Sequence, residues 1–363
     1  MSPEDGLHQL ELNLHPNEAS GLLAIEDGGL LRFRGWDLGF WAVLDEGEIQ
    51  DCIALIGHRE GLGMGEGWEI ERLRALPEGG RPKKTADAEA IARRGGLVYA
   101  FGSHFGRKDG PLQPKRGFVA RFREDAVEPS GLEVGLQIYR RSFRLHRLIN
   151  DALREGGPEL MPLREATRRA FVEATVRRGR EEGKAWSGMV REGDYPLNFE
   201  GAAFREDGTL LLGLRFPTAA DGRPVLVELE GVERLFEGAL PEVRGFLVVD
   251  AVGRGGGMAG VRDLALTRGP EGEELHLVTG NVDSREGKSV LVRDYPEGKD
   301  TVATHFRCLL PEGGGSGCLA ARFVREFPEL PRVEGIAVSG DRFFYVTDED
   351  EGVHLRSTRL LAG

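Results

Sequence analysis

A chain of 363 residues with 40% hydrophobic residues, 53 glycines and a formal net charge of −12 has the composition of a turn-rich folded protein rather than a disordered one. The acidic balance argues against nucleic acid as a main partner, because phosphate contacts need a basic surface. No apolar run reaches the roughly 20 residues that cross a bilayer, the first residues lack a basic-then-apolar leader pattern, and Cys52, Cys308 and Cys318 are too few for a disulfide framework, so a cytoplasmic protein with free thiols is expected.

Residues 1–18 are polar and suit either a tail or a strand that closes a ring. ASGLLAIEDGG begins at Ala19, and AVLDEG runs from Ala42 to Gly47. Between them lies an aromatic segment, Arg32 to Trp41. IQDCIALIG (Ile49 to Gly57) and WEIERLRAL (Trp68 to Leu76) read as two further strands, joined by a glycine-rich loop. DAEAIARRGGLVYAFGSH, Asp87 to His104, is a second hairpin, followed by strands at Gly117–Phe122 and Leu132–Tyr139.

From about 140 to 184 the turn signals thin out. Phe143, Leu145, Leu148, Ile149, Ala152 and Leu153 recur at helical spacing and stop at Gly156-Gly157; a second apolar face starts after Pro162 and stops at Gly179. A helical hairpin inserted into a β protein is expected here. It is rich in arginine: Arg140, Arg141, Arg144, Arg147, Arg154, Arg164, Arg168, Arg169, Arg177, Arg178 and Arg180. The pattern suits a solvated face with Glu–Arg pairs, or a basic cap over an anionic ligand or a protein partner. Arginine far outnumbers lysine along the whole chain, as in GC-rich and thermophile genomes.

The hairpin pattern then returns at Asn198–Arg215, Val261–Asn281 and Arg332–Asp350, with strands at Arg223–Glu230 and Gly245–Val252. His354–Leu361 suits a strand shared between the chain ends. GRGGGMAG (Gly253 to Gly260) has dinucleotide-loop spacing but is followed by a hairpin, not a helix. SREGKS (Ser284 to Ser289) lacks the phosphate-loop glycine at Val282 and is followed by SVLVRDY, read as a strand. No nucleotide cofactor is expected.

One acidic position marks each repeat: Glu89, Glu200, Asp263 and Glu334, with Ser20 in the first copy, at steps of 69, 111, 63 and 71 residues. The long step holds the helical insertion. A hairpin unit repeated at this spacing predicts an all-β, single-domain β-propeller over residues 1–363, five-bladed, although a sixth degenerate blade also fits the length. In a propeller the first strand of each blade lines the channel and the second runs back beside it. The start of the first and the end of the second then share a rim, which pairs Glu89 with His104, Glu200 with Arg215, Asp263 with Asn281 and Glu334 with Asp348. Ser20 would face Asp45 or Glu46.

Like charges this close need a cation, a shared proton or a basic partner. One expectation is a divalent cation such as Ca²⁺ held by Glu89, Glu200, Asp263, Glu334 and Asp348; the other is that these acids accept backbone N–H bonds at the blade mouths. In the first case the site would hydrolyse a phosphate ester or lactone, with His104 moving the proton and Arg215 holding an anionic substrate. The rival is a non-catalytic interaction scaffold.

DAEAIA with FGSH, NFEGAA with GLRFP, GMAGVRDLAL with VTGN, and VEGIAV with VTDED resemble the motifs of an uncharacterised bacterial propeller family, domain-of-unknown-function family 3616, over roughly Ser20 to Asp350. The resemblance implies a β-propeller and supplies no activity. More remotely the repeat is similar to phytase-like and esterase-like propellers and to calcium-dependent lactonases, which implies channel-facing acids that hold metal. Ser20 stands where those proteins carry an acid, and the arginine-rich insertion is outside their common core.

Overall fold

The computed structural model describes residues 7–12, 14, 18–44, 47–79, 84–254, 257–283, 289–330, 332–348 and 353–359. The protein is mostly β. Among the described residues the strands form five sheets, each opened by one of the predicted hairpins. The first strands are Ala19–Ala24, Ala88–Arg94, Asn198–Phe204, Gly260–Gly269 and Val333–Ser339. Each touches the first strand of the sheet before and after it, and the last touches the first. The chain ends meet in one sheet, where His8–Leu12 pairs antiparallel with Val353–Arg359.

Every first strand carries a β-bulge near its start. The register against the second strand shifts across Ser20, Glu89, Arg262 and Glu334, and on both sides of Phe199 just before Gly201. A bulge adds one residue to one strand only. It frees the strand start from simple alternation, so one polar residue there turns away from the apolar layers between sheets.

The residue after the bulge is small where sheets crowd together. A Cβ on Gly201 would stand 2.9 Å from Leu264 Cγ and 3.1 Å from Asp263 Cα; one on Gly335 would stand 3.1 Å from the Leu22 nitrogen. At these two positions neighbouring first strands approach so closely that a side chain has no room.

Two sequence readings need correction. Trp68–Leu76 is two strands. Trp68–Arg72 stays in the first sheet, while Arg74–Pro77 crosses to pair in parallel with Glu133–Leu136. The break falls at buried Leu73, whose N–H still reaches Ile53 O at 2.9 Å. Likewise Gly317–Ala320 adds a fifth, parallel strand to the third sheet. SVLVRDY is one helical turn, Val290–Asp294, because the Ser289 hydroxyl accepts the Leu291 N–H at 3.1 Å and caps it; a short apolar run has no period that separates strand from helix. Cys52 and Cys308 are buried free thiols, but Cys318 is exposed.

The helical insertion is present as Arg144–Gly156, Glu165–Thr167 and Ala174–Glu181, with a wider π turn over Arg168–Glu173. It sits on the rim. Phe171, Val172 and Val176 pack into one apolar cluster with Phe105, Phe216 and Val282, which lie at or within three residues of the ends of second strands. The rings of Phe105 and Phe171 stack at 4.6 Å. Buried Asp194 ties the insertion down by accepting from Arg147 at 2.7 Å and Arg154 at 3.1 Å.

Candidate functional site

Beside this roof a cavity of about 360 Å³ opens at the end of the ring. Four of the five bulge regions reach its wall, through Ser20, Glu89, Glu200 and Glu334. The fifth bulge residue is Arg262, not Asp263. Its buried guanidinium lies 3.0 Å from Glu200 and pairs at its other terminal nitrogen with Glu334. The cation that the sequence placed among these acids is thus partly supplied by the chain itself.

Asp263 takes the position filled by glycine or alanine in the other sheets and points toward the neighbouring strands. Its Oδ2 accepts the Ile336 N–H at 2.8 Å, so it links the fourth sheet to the fifth. Burial pushes its carboxyl well above the usual range, against the pull of the Ile336, Leu264 and Leu22 amides. Asp263 is not on the cavity wall; it matches the alternative expectation of a backbone-bound acid.

Arg215 lines the cavity but is engaged. One terminal nitrogen pairs with Glu200, the other donates to Asn281 Oδ1 at 3.1 Å, and Nε donates to the Asn281 carbonyl at 3.1 Å. Burial opposes its charge, and the carboxylates of Glu200, Asp283 and Glu89 more than offset that, so the guanidinium stays protonated. This bridge joins the third sheet to the fourth.

His104 is not on the cavity wall either. It is buried against Phe199, ring centres 4.8 Å apart, and among the described residues neither ring nitrogen has a hydrogen-bond partner. Burial, helped by nearby His146, pushes it down to about 3, so it is neutral at neutral pH. The backbone of Asp348 closes a second strand as expected, while its side chain, with Asp45 and Glu46, lies outside the described residues.

Among the wall residues not singled out in the sequence are Asp87 and Arg116. Asp87 precedes the Glu89 strand with φ of +67°. It accepts from the Ser103 hydroxyl and pairs with Arg116 at 2.8 Å, and burial pushes its carboxyl upward. Arg116 also donates to the Gly106 carbonyl at 2.8 Å. The signal for Asp87 was its place two residues before Glu89, on the same strand edge; Arg116 comes from a loop that no local pattern ties to the rim.

In all, six carboxylates on the wall face five cationic side chains. Among the described residues buried Asn198 Oδ1 and Arg116 Nε have no hydrogen-bond partner. Among the described residues no group of three or more His, Cys, Asp or Glu side chains is placed to hold a metal ion. Ca²⁺ needs six to eight oxygens at about 2.3–2.6 Å, and with guanidinia on Glu200 and Glu334 the set does not fit it. No helix among the described residues is long and apolar enough to cross a membrane.

No protein-family model matches the chain and no curated protein matches it, so the resemblance to family 3616 rests on its short motifs alone. Among solved structures the chain is similar to a glucose dehydrogenase, at 12% identity and a TM-score of 0.39, over 97% of this chain and 98% of that one. It is similar to a structure from the GH130 family of mannoside phosphorylases, a family that contains glycoside hydrolases targeting β-1,2 mannosidic linkages in Candida mannan, at 11% identity and 0.40, over 94% and 84%. It is also similar to Trypanosoma rangeli sialidase, at 9% identity and 0.36, over 98% of this chain and 59% of that one. At these scores the likenesses carry no chemistry over, and the residues of the cavity must speak for themselves.

Proposed function

We propose that the chain is a single five-bladed propeller whose ring-end cavity binds a small hydroxylated ester or lactone and hydrolyses it. What supports five blades is the cyclic contact of the five first strands. What carries the ligand reading is the mixed wall. Six carboxylates against five cations leave little net field to select an ion. A polyhydroxyl molecule can donate to the carboxylates and accept from the guanidinia at once. The volume of about 360 Å³ suits a molecule of one or two sugar-sized rings.

In this reading Glu89 takes the proton of the attacking water. Arg116 steadies the oxyanion, and Asp87, whose carboxyl burial pushes upward, returns a proton to the leaving oxygen. Arg215 and Arg262 position Glu200 and Glu334 and touch no reacting atom. His104 takes no step.

The test is turnover of a panel of sugar lactones, acyl esters and phosphate esters by the wild type, Asp87→Asn and Glu89→Gln. A lactone or ester hydrolysed by the wild type and slowed at least a hundredfold in both variants supports it; general acid or base loss is worth about 10²–10⁴. Equal turnover in all three, or none by the wild type, favours the non-catalytic scaffold.

A further inference from the structure

The insertion holds eleven arginines between 140 and 180. Seven are tied to carboxylates. Arg147 and Arg154 reach Asp194, Arg164 reaches Glu297, and Arg168 reaches Glu173. Arg169 pairs with Glu165, Arg178 with Glu182 and Arg180 with Glu192. Three of the remaining four stand together. Arg140, Arg141 and Arg144 have no carboxylate within 4.0 Å among the described residues, and all three line one open groove of about 1190 Å³ on the outer side of the second sheet.

Three other features of the groove suit an extended acidic chain. The helix that begins at Arg144 has no acidic residue in its first turn and no side-chain cap, so its N-terminal end favours negative charge. Trp186 and Phe236 add apolar surface, and Arg121, 3.9 Å above the Phe236 ring, fixes that wall. The wall strand Glu133–Tyr139 is covered on its outer edge by Arg74–Pro77 only as far as Leu136; Gln137–Tyr139 continue along the groove. Side chains two apart on an extended peptide fall on one face about 7 Å apart, a spacing that separate guanidinia can meet. A nucleic acid fits less well, because three guanidinia in one groove make a short patch rather than the long basic stripe that a continuous phosphate chain follows.

We propose that this groove docks an extended Asp/Glu-rich segment of a partner protein, with its carboxylates on Arg140, Arg141 and Arg144 and one apolar side chain against Trp186 and Phe236. It stands apart from the ring-end cavity, so it does not depend on the hydrolytic reading.

The probe is a fluorescein-labelled peptide of alternating Glu and Asp with one central Phe, followed by anisotropy at low salt and at about 0.15 M salt. The wild type should bind it at both, more weakly at the higher salt. Arg141→Glu with Arg144→Glu should weaken it at least tenfold, while Arg177→Glu, on another part of the insertion, should change it less than twofold. Melting curves check folding; if the double variant does not fold, Arg141→Glu alone, at an exposed site, must still weaken binding at least threefold. No binding at low salt, an equal loss in Arg177→Glu, or tighter binding of a single-stranded RNA of matched charge would overturn the proposal.

Discussion

Arg262 and Glu200, on the first strands of adjacent sheets, form a buried ion pair at 3.0 Å, and Glu334 from a third sheet closes on the same guanidinium. One cation therefore binds two acids and holds three sheets at the ring end. Removing one member of a buried set leaves uncompensated charge, which costs about 3–5 kcal/mol.

Arg262→Met should therefore lower the stability measured by urea unfolding by about that amount. Adding Glu334→Gln to it should recover part of the loss, since Glu200 keeps Arg215 as its partner and neither acid is then left without a cation. A single variant as stable as wild type would mean that something other than Arg262 neutralises the acids.

Acid should weaken the fold through its histidines. Burial pushes His104 and His146 down to about 3 and His276 to about 4, against about 6.5 in an unfolded chain. Below about pH 6.5 the unfolded state takes up protons that the native state refuses, so this part of the stability is complete above that pH and shrinks as pH falls toward 4. Asp87 and Asp263, both raised, run the other way and lose stability as pH rises through their native values. His104→Asn isolates one term, and asparagine tolerates the local φ of +61°. Its unfolding free energy should fall less steeply than wild type's between pH 6.5 and 4, by up to about 1.4 kcal/mol per pH unit; parallel curves would show that His104 is not held neutral.

A calcium titration separates the chain's own cation from a metal. With Arg262 between Glu200 and Glu334, added Ca²⁺ or a chelator should leave the melting midpoint unchanged. A bound metal at a hundredfold excess over its dissociation constant would add about 2.7 kcal/mol, and a midpoint rise abolished by Glu200→Gln would restore the metal reading.

The hairpins were legible because period-two apolar patterning and Gly-Asp turns are local signals, and the rim pairing of Glu200 with Arg215 followed from hairpin geometry. The one-residue error at Asp263 has a definite cause. GVRDLAL carries an acid one place after the bulge, and a reading that aligned acid with acid put Asp263 where Arg262 stands. A bulge is set by how strands crowd at the axis, as the contact of Gly201 with the Asp263 backbone shows, and such contacts have no signature in a single strand. His104 misled for a related reason: it follows the second strand as expected, yet turns toward Phe199 and away from the cavity. In the insertion Arg169–Glu165 and Arg178–Glu182 are the i,i+4 Glu–Arg pairs that helical spacing predicts, whereas the pairs of Arg147 and Arg154 with Asp194 and of Arg164 with Glu297 lie beyond reach of local spacing.

The most direct test of the central claim is a crystal structure of the wild type soaked with the best hit from a thermal-shift screen of sugars, sugar lactones and acyl esters. Density for the ligand in the ring-end cavity, within hydrogen-bond reach of Glu89, Asn198 and Arg116, and binding that Glu89→Gln weakens at least tenfold, is the predicted result. A hit bound elsewhere with full affinity in Glu89→Gln, or a cavity that stays without ligand density at saturating concentration, would contradict the account.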